Sequence, residues 1–230
     1  ERDTYRFVIG LDGTFFDDKY SWDFSYNYGA TKENQFGSGQ INVQSFRRAL
    51  EGIVDVDDLD NDGSTTDVVC ADVQAIMQGC VPVNIFGVDS ISEEALPFLV
   101  AGTSFQTDIK QHVVNGNISG DLLELPAGAL GIAAGFEYRK ETSVEELDAL
   151  TNAGLNASNA LPDTRGEFDV IEGYFEARVP LLADLPFAEI LAVGGAVRVS
   201  DYSTVGSTHS WNLNAEWAPI EDIRFRVTYA

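Results

Sequence analysis

The sequence predicts an all-β chain, an antiparallel transmembrane β-barrel segment of about eight meandering strands, with long loops that contain short helices. Three observations predict it. Apolar and polar side chains alternate with a period of two in stretch after stretch, and a strand sends successive side chains to opposite faces. The polar face carries charges of both signs, which a dry sandwich core could hold only at a heavy desolvation cost. Finally, short turns and long loops take turns along the chain, the layout of a barrel with its long loops on one side of a membrane.

The first strand is expected at Thr4–Phe16, with Phe7, Ile9 and Leu11 on one face and Arg6, Val8, Gly10 and Asp12 on the other. After a polar turn at Asp17–Lys19, Ser21–Gly29 alternates strictly, placing Trp22, Phe24, Tyr26 and Tyr28 together. Four aromatics on one face suit lipid and its interfaces better than water. From 31 to 104 the alternation stops, so a long insertion is expected there. It holds candidate helices at Val43–Leu50 and Ser92–Val100, the second with Ser92 as N-cap and Glu93 and Glu94 in its first turn. Gln106–Ser119 is the most polar strand. Leu122–Glu141 is a hairpin bent at Pro126 and Gly128, with Leu130, Ile132, Phe136 and Tyr138 opposite Gly131, Gly135, Glu137 and Arg139. A second long loop covers 142–165. Asp169–Val179 follows, with Glu172, Tyr174, Glu176 and Arg178 on one face; Pro180–Pro186 reads as a turn. The next strand carries Leu191, Val193, Val197 and Val199 outward and Arg198 inward, and Asp201–Thr208 reads as a turn. Trp211, Leu213, Ala215 and Trp217 then alternate with Asn212, Asn214 and Glu216. A turn at Pro219–Asp222 leads to Ile223, Phe225, Val227 and Tyr229, which alternate with Arg224, Arg226 and Thr228.

The totals agree with this reading. Hydrophobic residues make up 44% of 230 residues, ordinary for a folded chain. No apolar run is long enough for a transmembrane helix, while barrel strands keep the mean hydropathy near neutral, here −0.07. The net charge of −23 (14 − 37) argues against nucleic-acid binding, which needs a basic face.

Several stretches together resemble TonB-dependent outer-membrane receptors: Trp22–Gly29, Gly79–Phe86 with Ser90–Ala95, Ser119–Glu141, Gly173–Leu182, Ala196–Tyr202 and Trp217–Arg226. Their order and spacing cover most of the chain. The resemblance implies part of a larger barrel in the outer membrane of a Gram-negative bacterium. It implies uptake of a scarce small or medium nutrient, such as an iron chelate (siderophore uptake), an oligosaccharide or cobalamin, energised by the TonB complex through a plug domain. No plug or TonB-contacting box is found ahead of Glu1, so all of 1–230 is expected to be a partial receptor barrel. Trp22, Phe24, Tyr26, Tyr28, Trp211 and Trp217 are expected against outer-membrane lipid. Glu137, Arg139, Glu172, Glu176, Arg178 and Arg198 are expected as lumen charges, and the loops at 31–104 and 142–165 at the mouth.

Few constellations suggest chemistry. Asp58, Asp60, Asp62 and Gly63 match the start of a calcium loop, with Asp67 as one later candidate; position 12 is Val69, so the closing bidentate Glu is missing. A solvated acidic loop is the plainer reading, and no cofactor is required. In an exported protein Cys70 and Cys80 read as one disulfide. His112 and His209 read as polar lumen or loop residues. No nucleophile elbow, dinucleotide or phosphate-loop motif is present, and no catalytic residue is assigned. The rival reading is a secreted soluble β-protein that binds carbohydrate or acts as an adhesin, with calcium at Asp58–Asp62.

Overall fold

The computed structural model describes residues 1–230. Eight strands form one antiparallel sheet in the order β1-β2-β5-β6-β7-β8-β9-β10. They are β1 (Arg2–Phe15), β2 (Tyr20–Ile41), β5 (Val100–Leu125), β6 (Gly128–Leu147), β7 (Thr164–Leu185), β8 (Ala188–Tyr202), β9 (Gly206–Ile220) and β10 (Ile223–Tyr229). Each sheet strand pairs with the next in sequence, as a meander requires, and β1 and β10 stand at the two edges of an open sheet. No helix is long and apolar enough to cross a membrane.

The connections split by parity as expected, except that the one after β8 is as short as a turn. Pro126–Ala127, Pro186–Phe187 and Glu221–Asp222 are two-residue turns, and Phe16–Lys19 is a four-residue one. Phe16, Asp17 and Asp18 all adopt positive φ, as do Gly128 and Phe187. The connections at the other strand ends run from Asn42 to Leu99, from Asp148 to Asp163, and from Ser203 to Val205.

The strands differ from expectation at their ends. β7 does not turn at Pro180 but continues to Leu185. Proline removes a ladder donor, and the sheet absorbs it with a register shift between Pro180 and Leu182. The connection expected at Asp201–Thr208 shrinks to three residues, because the ladder holds up to the Tyr202–Gly206 pair. β2 and β5 run past the alternating stretches, to Ile41 and back to Val100. A strand with no apolar slab against it needs no period of two, so sequence pattern does not mark this part.

The chain divides into two compact units. One comprises residues 4–31, 109–143 and 166–230 and holds the two-residue turns and the whole of β8, β9 and β10. The other comprises 1–3, 32–108 and 144–165. In this second unit α1 (Val43–Leu50) is capped by Asn42, whose side chain accepts from the Gln44 and Ser45 amides. β3 (Gly52–Val54) and β4 (Val68–Cys70) form a small hairpin, followed by α2 (Val73–Met77). The helix expected from Ser92 is instead a 3-10 turn, Glu93–Ala95, followed by α3 (Leu96–Leu99); Ser92 makes no side-chain cap bond. Pro97 explains the break, since it lacks the amide that a continuous helix would use there. Ala49, Cys70, Ala75, Cys80, Ala95 and Leu99 form the buried core, with Phe46, Ile76 and Phe98 packed against it. The Cys70–Cys80 disulfide is formed, with the Cα atoms 6.3 Å apart. α4 (Ala149–Ala153) follows β6, with Asp148 as N-cap and Gly154 in the left-handed region as C-cap.

Candidate functional site

The sheet has two chemically different faces, and strand parity decides which residue joins which. On one face Trp217 stacks on Phe225 with ring centroids 5.5 Å apart, and Trp211 lies 5.6 Å from Tyr229. Leu213, Ala215 and Val227 lie between these pairs. The Trp217 indole donates to the Phe187 carbonyl at 2.9 Å, so its polar edge is satisfied while its ring stays exposed. Trp22 and Phe24 are exposed too, and Trp22 covers the spot where Gly13 lacks a side chain. Two aromatic rows with aliphatic residues between them match the outer band and girdles of a membrane barrel.

His112 belongs to this face, contrary to the lumen or loop position expected for it. Tyr28 lies 4.9 Å from its ring, and its Nδ1 is hydrogen-bonded to the Tyr26 hydroxyl at 2.9 Å. The even positions of β5 are polar here, so parity in a polar strand carried no signal.

The opposite face holds polar side chains joined across strands. Arg6 donates to Asn27 at 3.0 Å on β1 and β2. Asn117 donates to Asp23 at 2.8 Å and accepts from the Tyr174 hydroxyl at 2.9 Å. Arg198 lies over the Tyr174 ring, 5.5 Å from its centroid, and pairs with Glu172 at 3.0 Å, which also accepts from Tyr202. Arg139 lies between Glu137 and Glu141, at 3.9 and 3.7 Å. Glu176 shares this face opposite Ala196. Glu216 gathers three arginines: Arg178 at 3.0 Å, Arg224 at 3.1 Å and Arg226 at 3.5 Å. Its alternation places Glu216 on this face; its role as the centre of the cluster comes from register, which pairs Arg226 with Glu216 and brings Arg178 alongside through β8. The arginines paired with Glu172 and Glu216 are about half exposed, so these pairs avoid the full desolvation cost of a dry core.

The second unit holds the remaining candidate residues. Asp58, Asp60 and Asp55 bring carboxylate oxygens within 4.8 Å of one another, and so do Asp60, Asp62 and Asp67. The sequence reading missed Asp55, which is fully buried and accepts from the Leu59 amide at 2.8 Å. Asp58 and Asn61 take positive φ, and the Gly63 amide donates to Asp58 at 3.0 Å, which curls the loop around its own carboxylates. Desolvation, with the Asp62, Asp67 and Asp55 charges, raises the Asp60 carboxyl above the usual carboxylate range. One oxygen of Asp67 is buried with no hydrogen-bond partner. Oxygen ligands of this kind suit a hard divalent cation.

Around α4, the Asp148 carboxylate accepts from the Leu150 and Thr151 amides, the Thr151 hydroxyl and the Ser104 amide of β5. Burial opposes its ionisation, but these four donors hold the carboxyl below the usual range. Asp163 is lowered as well, by the Leu147 amide and then the Asn152 side chain.

An antiparallel meander with an apolar aromatic face, a charged face, and short turns opposite two long connections has the layout of an outer-membrane barrel. The family model described as TonB dependent receptor-like, beta-barrel matches residues 1–230, and the chain belongs to that family. No curated protein matches the chain. Members of the family are transporters rather than enzymes, and they work in TonB-linked transport across the outer membrane of Gram-negative bacteria.

Proposed function

We propose that this chain is the wall and mouth of a TonB-energised receptor that takes up a scarce nutrient such as an iron chelate, an oligosaccharide or cobalamin. The two-faced sheet carries this reading. Trp22, Phe24, Tyr26, Tyr28, Trp211 and Trp217 face lipid or its interfaces. Glu137, Arg139, Glu172, Glu176, Arg178 and Arg198 face the lumen. The two-residue turns lie on the periplasmic side, and the connections 42–99 and 148–163, shorter than the expected loops at 31–104 and 142–165 because the strands run further, contribute to the outer mouth, where ligand is captured. A plug domain couples the barrel to TonB. Deleting the gene in its host should abolish TonB-dependent growth on one scarce nutrient, and the receptor should fractionate with outer membranes. A receptor recovered in the soluble fraction without detergent would instead favour the secreted carbohydrate-binding or adhesin reading.

A weak calcium site at Asp58, Asp60 and Asp62, closed by Asp55 and Asp67 in place of the missing Glu, is part of the proposal. The unpartnered Asp67 oxygen supports it. Millimolar calcium should slow proteolysis of the intact receptor within 55–67, and Asp60→Asn should remove that protection. Equal cleavage with calcium and with chelator would leave a solvated acidic loop.

A further inference from the structure

The second unit contains a cleft of about 270 Å3, lined by residues of β2, β5, β6 and the α4 loop. None of its eleven lining residues is ionisable. That is unexpected where it lies: this unit carries five cations against nineteen acids, 5 − 19 = −14 of the chain's −23. The cleft instead presents the Gln35 and Gln40 amides, the Thr103 and Ser158 hydroxyls, and the rings of Phe36 and Phe105.

Its floor is fixed. Asn156 is buried and donates to the Thr151 hydroxyl at 2.7 Å, which in turn donates to Asp148 at 2.7 Å. Asp148 is committed to four donors, so it offers no free charge to a ligand. Gly37 keeps the wall open, because a Cβ there would come within 2.7 Å of the Thr103 hydroxyl.

We propose that this cleft is a subsite for an uncharged sugar unit of an oligosaccharide. The inference rests on the receptor reading above and narrows its ligand. An anionic metal chelate finds no cation here and meets the field of an acidic unit. A cationic ligand finds no available carboxylate. Neutral amides and hydroxyls match sugar hydroxyls as both donors and acceptors. Aromatic faces match the apolar C–H side of a pyranose ring. The volume lies just below the usual small-molecule range of ~300–1,000 Å3, which suits one ring of a longer chain.

The test uses the complete natural receptor, purified in detergent, on an array of neutral and acidic oligosaccharides, with ferric citrate titrated separately. A neutral oligosaccharide should bind best, with little dependence on salt. Phe36→Ala and Gln40→Ala, both surface truncations, should each weaken it about tenfold, the loss of one modest contact. Gly37→Val should weaken it further by filling the cleft. No binding to any neutral oligosaccharide, or binding that all three variants leave unchanged, overturns the proposal. So does tighter binding of ferric citrate or an acidic sugar. If TonB-dependent uptake of another nutrient is then found, the receptor reading survives and only the sugar assignment falls. Loss of outer-membrane location would bring down both.

Discussion

The disulfide offers a quantitative test of the second unit. Cys70 and Cys80 are separated by ten positions and both lie in its small core. In the chain-entropy model, a closed loop of about 11 residues restricts the open state by about 2.8 kcal/mol. That corresponds to a roughly hundredfold change in the equilibrium for local opening. The perturbation is the double variant Cys70→Ser/Cys80→Ser in the intact receptor. The assay is hydrogen exchange followed by mass spectrometry. Exchange in α1, the β3–β4 hairpin and α2 should rise by about that factor. Peptides from β7, β8 and β9 should not change, because the sheet has its own hydrogen bonds. Unchanged protection in residues 43–99 would refute the argument, since the core would then hold without its cross-link.

Leu213→Arg places a charge between the two aromatic rows and should destabilise the receptor in bilayers by ~2–4 kcal/mol, as measured by denaturant unfolding. The neighbouring Asn214→Arg, on the opposite face, should cost far less. Gly135→Ala should destabilise by about 1–3 kcal/mol, because its Cβ would sit 2.8 Å from the Gly116 carbonyl and 2.5 Å from the Tyr174 ring; a melting temperature equal to that of the natural receptor would show that the network yields freely. The two acidic loops should respond oppositely to pH. Asp148 and Asp163 have lowered carboxyls, so their contribution is complete above the unfolded value, ~3.9, and fades as pH falls through the folded values. Asp60 is raised, so its loop is favoured at low pH and loses that support as pH rises through the raised value. Exchange rates at 148–163 and 55–67, corrected for intrinsic chemistry and followed from pH 3 to 7, check both signs.

How much of this could be read from sequence depends on what each residue is packed against. Where one face of the sheet is apolar and the other polar, the alternation is strict, and Trp211–Trp217 and Phe225–Tyr229 are legible as strands with two distinct faces. Residues 31–41 and 100–105 lack that contrast, so their strands left no pattern. Pro180 looked like a turn because proline forbids a ladder bond, yet one register shift absorbs it. The helix at Val43–Leu50 was legible from its local apolar spacing, with Asn42 as its cap. The cleft was not legible. Gln35, Thr103 and Ser158 are ordinary polar residues in sequence, and only pairing between distant segments brings them together.

The central claim is that odd positions of β9 face lipid and even positions face a wet lumen. Single nitroxide labels at each position from 211 to 217, in the complete receptor reconstituted in bilayers, test it directly. Cys70 and Cys80 are bonded to each other and leave no free thiol of this chain to interfere. Collision with oxygen, which concentrates in lipid, should peak at 211, 213, 215 and 217. Collision with a water-soluble nickel chelate should peak at 212, 214 and 216. Water-like accessibility at all seven positions would contradict the account.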